Sequence, residues 1–220
     1  MTTRSRPVTL DCRPLTPERW QDFVKLFGKR GAYGGCWCMW WRLKRAEFER
    51  QQGAGNRRAM KKLVDSGQVP GILGYDGDEP IGWCSVGPRE SYGALMRSRV
   101  LKALDETPAW SIVCLFVARP HRGRRVAEAL ARGTVEYAMQ QGASVIEAYP
   151  TRPRKGRLPP VSSFMGVPTL FEHVGFIECA RPSASRLIMR YVARANRAPS
   201  RSRKAAGLQP KRNVRRKRSQ

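Results

Sequence analysis

The chain has 220 residues and is strongly basic, with 42 Lys plus Arg against 17 Asp plus Glu and a net charge of +25; its hydrophobic share is 41%. That length suits one domain around a single core better than two. The longest apolar stretch, 109–118, is far short of the roughly 18 residues that a membrane-spanning helix needs, and the N-terminus lacks the apolar run of a secretory signal, so a cytoplasmic location without membrane insertion is expected.

Residues 8–13 alternate as a strand does. Thr16 and Pro17 then open a helix that carries Trp20, Phe23, Val24 and Phe27 on one face and stops at Gly28. After the Gly- and aromatic-rich stretch 31–41, two helices are expected over 43–51 and 56–66, separated by GAG. Residues 71–75 and 80–86 read as a hairpin closed by the Asp76-Gly77 pair. A polar helix is expected over 92–104. The stretch 110–117 is apolar on both faces, as in a strand covered on two sides, and is the candidate central strand.

The best helical pattern spans 125–141, with Val126, Ala129, Leu130, Gly133, Tyr137 and Ala138 as its stripe and Gly142 as its stop. A strand over 145–149 follows, and strand, helix, strand in this order implies a parallel crossover. Beyond the basic, Pro-rich loop 151–166 come a short helix, 168–174, and strands over 176–179 and 186–191. The reading is a mixed α/β domain over 1–193.

Six cysteines are scattered along the chain, and several sit in strand-like runs where a thiol acts as a small hydrophobe. Cys36 and Cys38 stand close together. No histidine is near them in sequence, so they read as wall or core residues rather than nucleophiles. With two histidines in the chain, the ligand count of a structural zinc site is missing, and no metal is expected.

Chemistry concentrates where the candidate central strand meets the best helix, LFVARPHRGRRVAEAL over 115–130. A basic turn there would present free backbone N–H groups at a helix N-terminus, a setting that holds phosphates. Leu115, Val117, Arg122 and Ala127 resemble the GNAT superfamily's L-x-V strand end followed by R/Q-x-x-G-x-G/A. The stretch TLFEHVGF, 169–176, is similar to that family's LYExxGF. The likeness covers residues 8–192.

The resemblance implies a mixed, mostly antiparallel sheet flanked by helices, whose central strands splay so that the pantetheine of acetyl-CoA, the implied cosubstrate, lies between them. It assigns cosubstrate binding to Leu115, Phe116 and Val117 together with Arg122, Gly123, Arg124, Arg125, Val126 and Ala127. Two departures stand out. Arg125 replaces the signature's middle glycine and brings a Cβ into the turn, and Phe171 replaces the family's frequent tyrosine acid and has no proton to donate.

The implied reaction is direct attack of a neutral primary amine on the thioester, with proton removal from the amine and protonation of the leaving thiolate. Glu147 and Tyr149 alternate onto one strand face and are the candidate general base and acid; the alternative is that Glu147 pairs with an arginine and Tyr149 packs. Trp37, Trp40 and Trp41 are candidates for an acceptor pocket, or equally for core. The acceptor is an amine-bearing small molecule or a protein amine.

From Arg194 to Gln220 there are eleven Lys or Arg and no acid, which leaves +14 on residues 1–193. Such a segment cannot bury enough apolar surface to fold alone, and it would attract nucleic acid without sequence preference. Two rival readings follow: a nucleic-acid-binding protein on an inactive GNAT scaffold, and a small-molecule acetyltransferase whose tail is incidental.

Overall fold

A computed structural model describes residues 9–153 and 163–193, so the basic tail and most of the Pro-rich loop lie outside the described residues. The strands are β1 (Asp11–Pro14), β2 (Gly71–Asp76), β3 (Glu79–Pro88), β4 (Trp110–Val117), β5 (Val145–Ala148), β6 (Ile177–Ala180) and β7 (Ile188–Val192). The helices are α1 (Trp20–Phe27), α2 (Arg45–Arg50), α3 (Ala54–Asp65), α4 (Gly93–Met96), α5 (Val126–Gln140) and α6 (Pro168–Val174). One seven-stranded sheet runs β1-β2-β3-β4-β5-β7-β6, antiparallel at every step but β4–β5. This is the mixed, mostly antiparallel sheet that the sequence led us to expect.

Strand alternation sorts the apolar side chains onto two faces. Ile72, Cys84, Ile112 and Leu115 face a core shared with Leu130, Val135 and Phe171 of α5 and α6. Leu73, Trp83 and Phe116 face the other way, onto Phe23 and Phe27 of α1 and Met60 and Val64 of α3. The ring of fully buried Trp83 meets Phe23 edge-on at 4.8 Å, a geometry that adds about 0.5–1.5 kcal/mol beyond area burial. A third cluster joins Tyr92, Leu95, Val113, Tyr149, Met165 and Ile188 near the middle of the sheet.

The helix expected over 92–104 is cut to the single turn of α4. Tertiary demand overrides propensity there. The Ser98 hydroxyl accepts the Leu101 N–H at 3.0 Å and the Leu101 carbonyl accepts the buried Arg89 guanidinium at 2.5 Å, which pulls the chain out of helical geometry.

The parting of the central strands has a local cause. β4 and β5 pair in parallel at Trp110–Ile146, Ser111–Glu147 and Ile112–Ala148. On the other side of β4, Ile112 stands opposite Val86 and Cys114 opposite Ser85, so Val113 is an extra residue without a register partner. A bulge of this kind bends a strand and increases its twist. Beyond it, residues 114–117 stay paired with β3 and have left β5.

Candidate active site

A cavity of about 1380 Å³ opens where β4 and β5 part. Leu115, Phe116 and Val117 of β4 line it, together with Arg119, Arg122 and Ala127 from the turn into α5. Five of the nine expected cosubstrate residues therefore line it. The other four shape the turn: Gly123 at φ +82, Arg124 paired with Asp76 at 3.4 Å, Arg125 at φ 58 and ψ 18, and Val126 buried as the first residue of α5.

Arg125 thus occupies the left-handed region that its glycine counterpart in the signature would enter freely. Its carbonyl accepts the N–H groups of Glu128 and Ala129 at 3.0 and 3.1 Å, starting the helix. Among the described residues the amides of 123–127 have no acceptor. The Arg122 side chain folds back so that its Nε donates to the Val117 carbonyl at 3.0 Å, fixing the turn to the end of β4. Unpaired N–H groups, the positive end of a four-turn helix and two lining guanidiniums give this part of the cavity the chemistry that favours an anion.

In the gap, residues 163–166 run between the two arms. The Leu115 N–H donates to the Phe164 carbonyl at 2.6 Å, and the Thr151 N–H to the Gly166 carbonyl at 3.1 Å. Gly166, at φ +80, brings its Cα so close to Phe171 that an added Cβ would stand 2.6 Å from the ring. Phe171 is completely buried, so this position serves packing.

Part of the cavity lining is aromatic. Tyr33, Trp40 and Trp41 line it with Phe48 and Gln52, and Trp40 meets Phe48 edge-on at 5.2 Å. Trp37, grouped with Trp40 and Trp41 from the sequence, instead stacks on Phe27 at 5.8 Å in the α1 core. The backbone explains the division. Trp37 and Cys38 both take positive φ, 43° and 60°, so the chain turns there, leaving Trp37 in the core while Trp40 and Trp41 line the cavity.

Cys36, Cys38 and Cys114 also touch the cavity. The Cys38 sulfur accepts the Trp83 indole N–H at 3.1 Å; the Cys114 thiol, and to a lesser degree this indole, hold the Cys38 thiol below its ordinary value against the effect of burial. Burial pushes the Cys36 thiol up to about 11.

Glu147 and Tyr149 do come together, but away from this lining. Glu147 Oε2 accepts the Tyr149 hydroxyl at 2.7 Å and Arg89 Nη1 at 3.0 Å, while Oε1 accepts Arg190 Nε at 2.9 Å. Arg190 reaches on to Asp105 at 2.5 Å. Glu147 and Tyr149 are buried, and burial pushes the Tyr149 hydroxyl well up. The network sits on the last parallel pairs of β4 and β5, Ser111 hydroxyl to Tyr149 hydroxyl at 2.8 Å, at the closed end of the gap. Among the described lining residues there is no Asp, Glu or His.

Sequence reading missed Arg89, Arg119, Phe164, Gly166 and Arg186. For Arg119 a signal existed, its place in the basic turn. For the others none did, because each is brought in from a distant part of the chain. Among the described residues no His, Cys, Asp or Glu group is placed to hold a metal ion, and no helix is long and apolar enough to cross a membrane.

Comparison with known proteins agrees with this architecture. A GNAT-family acetyltransferase from Streptococcus agalactiae has a similar fold, with a TM-score of 0.50 at 15% identity over 84% of this chain and 96% of that one. The PaiA N-acetyltransferase from Thermoplasma acidophilum, solved with coenzyme A, gives 0.46 at 12% identity, covering 84% of this chain and 100% of that one. No curated protein matches by sequence. The sequence profile of the Acetyltransferase (GNAT) family matches residues 37–156, which take in the parted strands and the α5 turn; the chain belongs to the GNAT acetyltransferase family.

Proposed function

We propose that the protein transfers an acetyl group from acetyl-CoA directly to a primary amine. The observation that carries this is the parted β4–β5 pair, with a cavity lined both by the basic turn, Arg119 and Arg122, and by aromatic side chains, Tyr33, Trp40 and Trp41. The amides of 123–127, with Arg119 and Arg122, fit the pyrophosphate of the cosubstrate, and residues 115–117 offer backbone groups to its pantetheine. For that pairing the Phe164 carbonyl must yield the Leu115 N–H, which then becomes a donor available to a carbonyl in the gap.

Glu147 and Tyr149 hold the closed end in this reading. Glu147 is buried outside the cavity lining and already accepts two guanidiniums and a hydroxyl, so it is not placed to take a proton from an amine in the cavity. Catalysis then rests on orientation of a free-base amine, and the rate follows the acceptor's own deprotonation as pH rises. Phe171 takes no part in proton transfer. Domain limits of 1–193 and a polybasic 194–220 appendage belong to the same proposal; the appendage supplies salt-sensitive, nonspecific attraction to nucleic acid.

Calorimetric titration of acetyl-CoA into the full chain and into a chain ending at Ala193 tests the reading. Equal, saturable one-to-one binding in both is expected. If binding vanishes with the tail, the cavity is not the cosubstrate site, and a nucleic-acid-binding scaffold becomes the better account.

A further inference from the structure

Arg186 differs from the basic residues around it. Arg89, Arg152, Arg181 and Arg190 each pair with a carboxylate. Arg186 pairs with none among the described residues. Its Nη1 donates to the Tyr149 carbonyl at 2.8 Å and contacts Met165 Sδ at 3.2 Å, and burial lowers its pKa. A half-buried guanidinium without a counter-ion is poorly compensated. It lines the cavity.

Strand alternation says which side it serves. Leu187 and Met189 face the α5–α6 core, whereas Ile188 packs with Tyr149, Met165 and, at the edge of the same cluster, Trp41. Arg186 shares the face of Ile188, so it stands on the aromatic acceptor side. Two more polar groups there lack partners. Trp41 Nε1 and Thr151 Oγ1 are buried without a hydrogen bond among the described residues, and Thr151 is bridged to Arg186. Native proteins leave few such groups; one is bridged to an uncompensated cation and the other lies on a residue lining the same cavity, which points to a polar ligand.

From this geometry we infer that Arg186 receives the carboxylate of the acceptor, which is an amino acid with a large apolar or aromatic side chain, acetylated on its amino group. The inference rests on the acetyltransferase reading. Tyr33, Trp40 and Phe48 supply the apolar wall. A polyamine or other multiply cationic acceptor fits badly, since the described lining offers no carboxylate to a second ammonium group.

The test measures CoA release from acetyl-CoA by the full chain with L-phenylalanine and L-leucine against phenethylamine and isoamylamine, which lack the carboxylate. Higher kcat/KM for the amino acids is expected. Arg186→Gln should raise their KM by about 10–100-fold, the size of a lost charge-assisted hydrogen bond, and should shift KM for the bare amines and calorimetric acetyl-CoA affinity by far less. Arg186→Lys should fall between. Faster turnover of the bare amines overturns the inference, as does a preference that survives Arg186→Gln. Acetyl-CoA binding with no amino acid turned over overturns it too, and leaves the donor half of the reading standing; no acetyl-CoA binding defeats the proposed function itself. If Arg186→Gln does not fold, wild type and Arg186→Lys decide by the same comparison.

Discussion

The two ends of the β4–β5 pair are built from neighbouring residues to opposite purposes. At the closed end, strand pairing is complete and Glu147 is held by two arginines and Tyr149 inside the fold. At the open end, one extra residue at Val113 separates the strands, and the backbone of β4 meets residues 163–166 and a cavity in place of β5. The lesson is that a site made of main-chain donors needs a rigid anchor beside it. Parted strands cost hydrogen bonds, and a buried charged network fixes where the parting begins.

The largest expected effect breaks the anchor. Glu147→Ala would leave Arg89 and Arg190 without their buried counter-charge and should lower unfolding free energy by about 3–5 kcal/mol in denaturant titrations. Glu147→Gln should cost less, and the pH profile of acetyl transfer should keep its shape; a profile that loses a limb would restore Glu147 as a general base. At the open end, Arg122→Ala removes a guanidinium facing the anion receptor and its tie to Val117, and should weaken acetyl-CoA binding by about 10–100-fold in calorimetry.

A smaller effect of opposite sign is expected from Arg125→Gly. Because Arg125 sits at φ 58, glycine there should relieve about 1 kcal/mol of backbone strain and raise the melting temperature. A loss of stability would mean that the Arg125 side chain contributes more than its conformation costs. The smallest effect concerns Asp105, whose carboxyl is held well below its ordinary 3.8 chiefly by Arg190. A lowered carboxylate stabilises the fold above its unfolded value and loses that contribution as pH falls below about 3.8 toward the folded value. Asp105→Asn should therefore flatten the decline of stability below pH 3.8 and change little at neutrality, as read from acid unfolding curves.

Much of the open end was legible in the sequence. β4 and α6 have the limits that the residues suggested, 110–117 and 168–174, because an apolar run and a Pro-to-Gly frame are local signals. The turn proposed to hold phosphate was legible as a basic stretch between strand and helix, and that is where the structure places it. The anchor was not. Glu147 and Arg89 lie 58 residues apart, and nothing local to either announces the other. Hence Glu147 and Tyr149 could be read equally as catalytic or as structural from their shared strand face.

The aromatic stretch shows the same limit at shorter range. Trp37, Trp40 and Trp41 are alike in sequence, and positive φ at Trp37 and Cys38 separates them into core and cavity wall. Backbone reversal of that kind depends on what the chain packs against. What the sequence determined by itself was the order of elements, the family and the basic turn between β4 and α5, since periodicity, glycine stops and clustered charge act over a few residues. The tertiary structure alone decided which charges are neutralised and which, like Arg186, are left facing the cavity. Ion pairing and desolvation depend on distances between segments that the chain brings together only on folding.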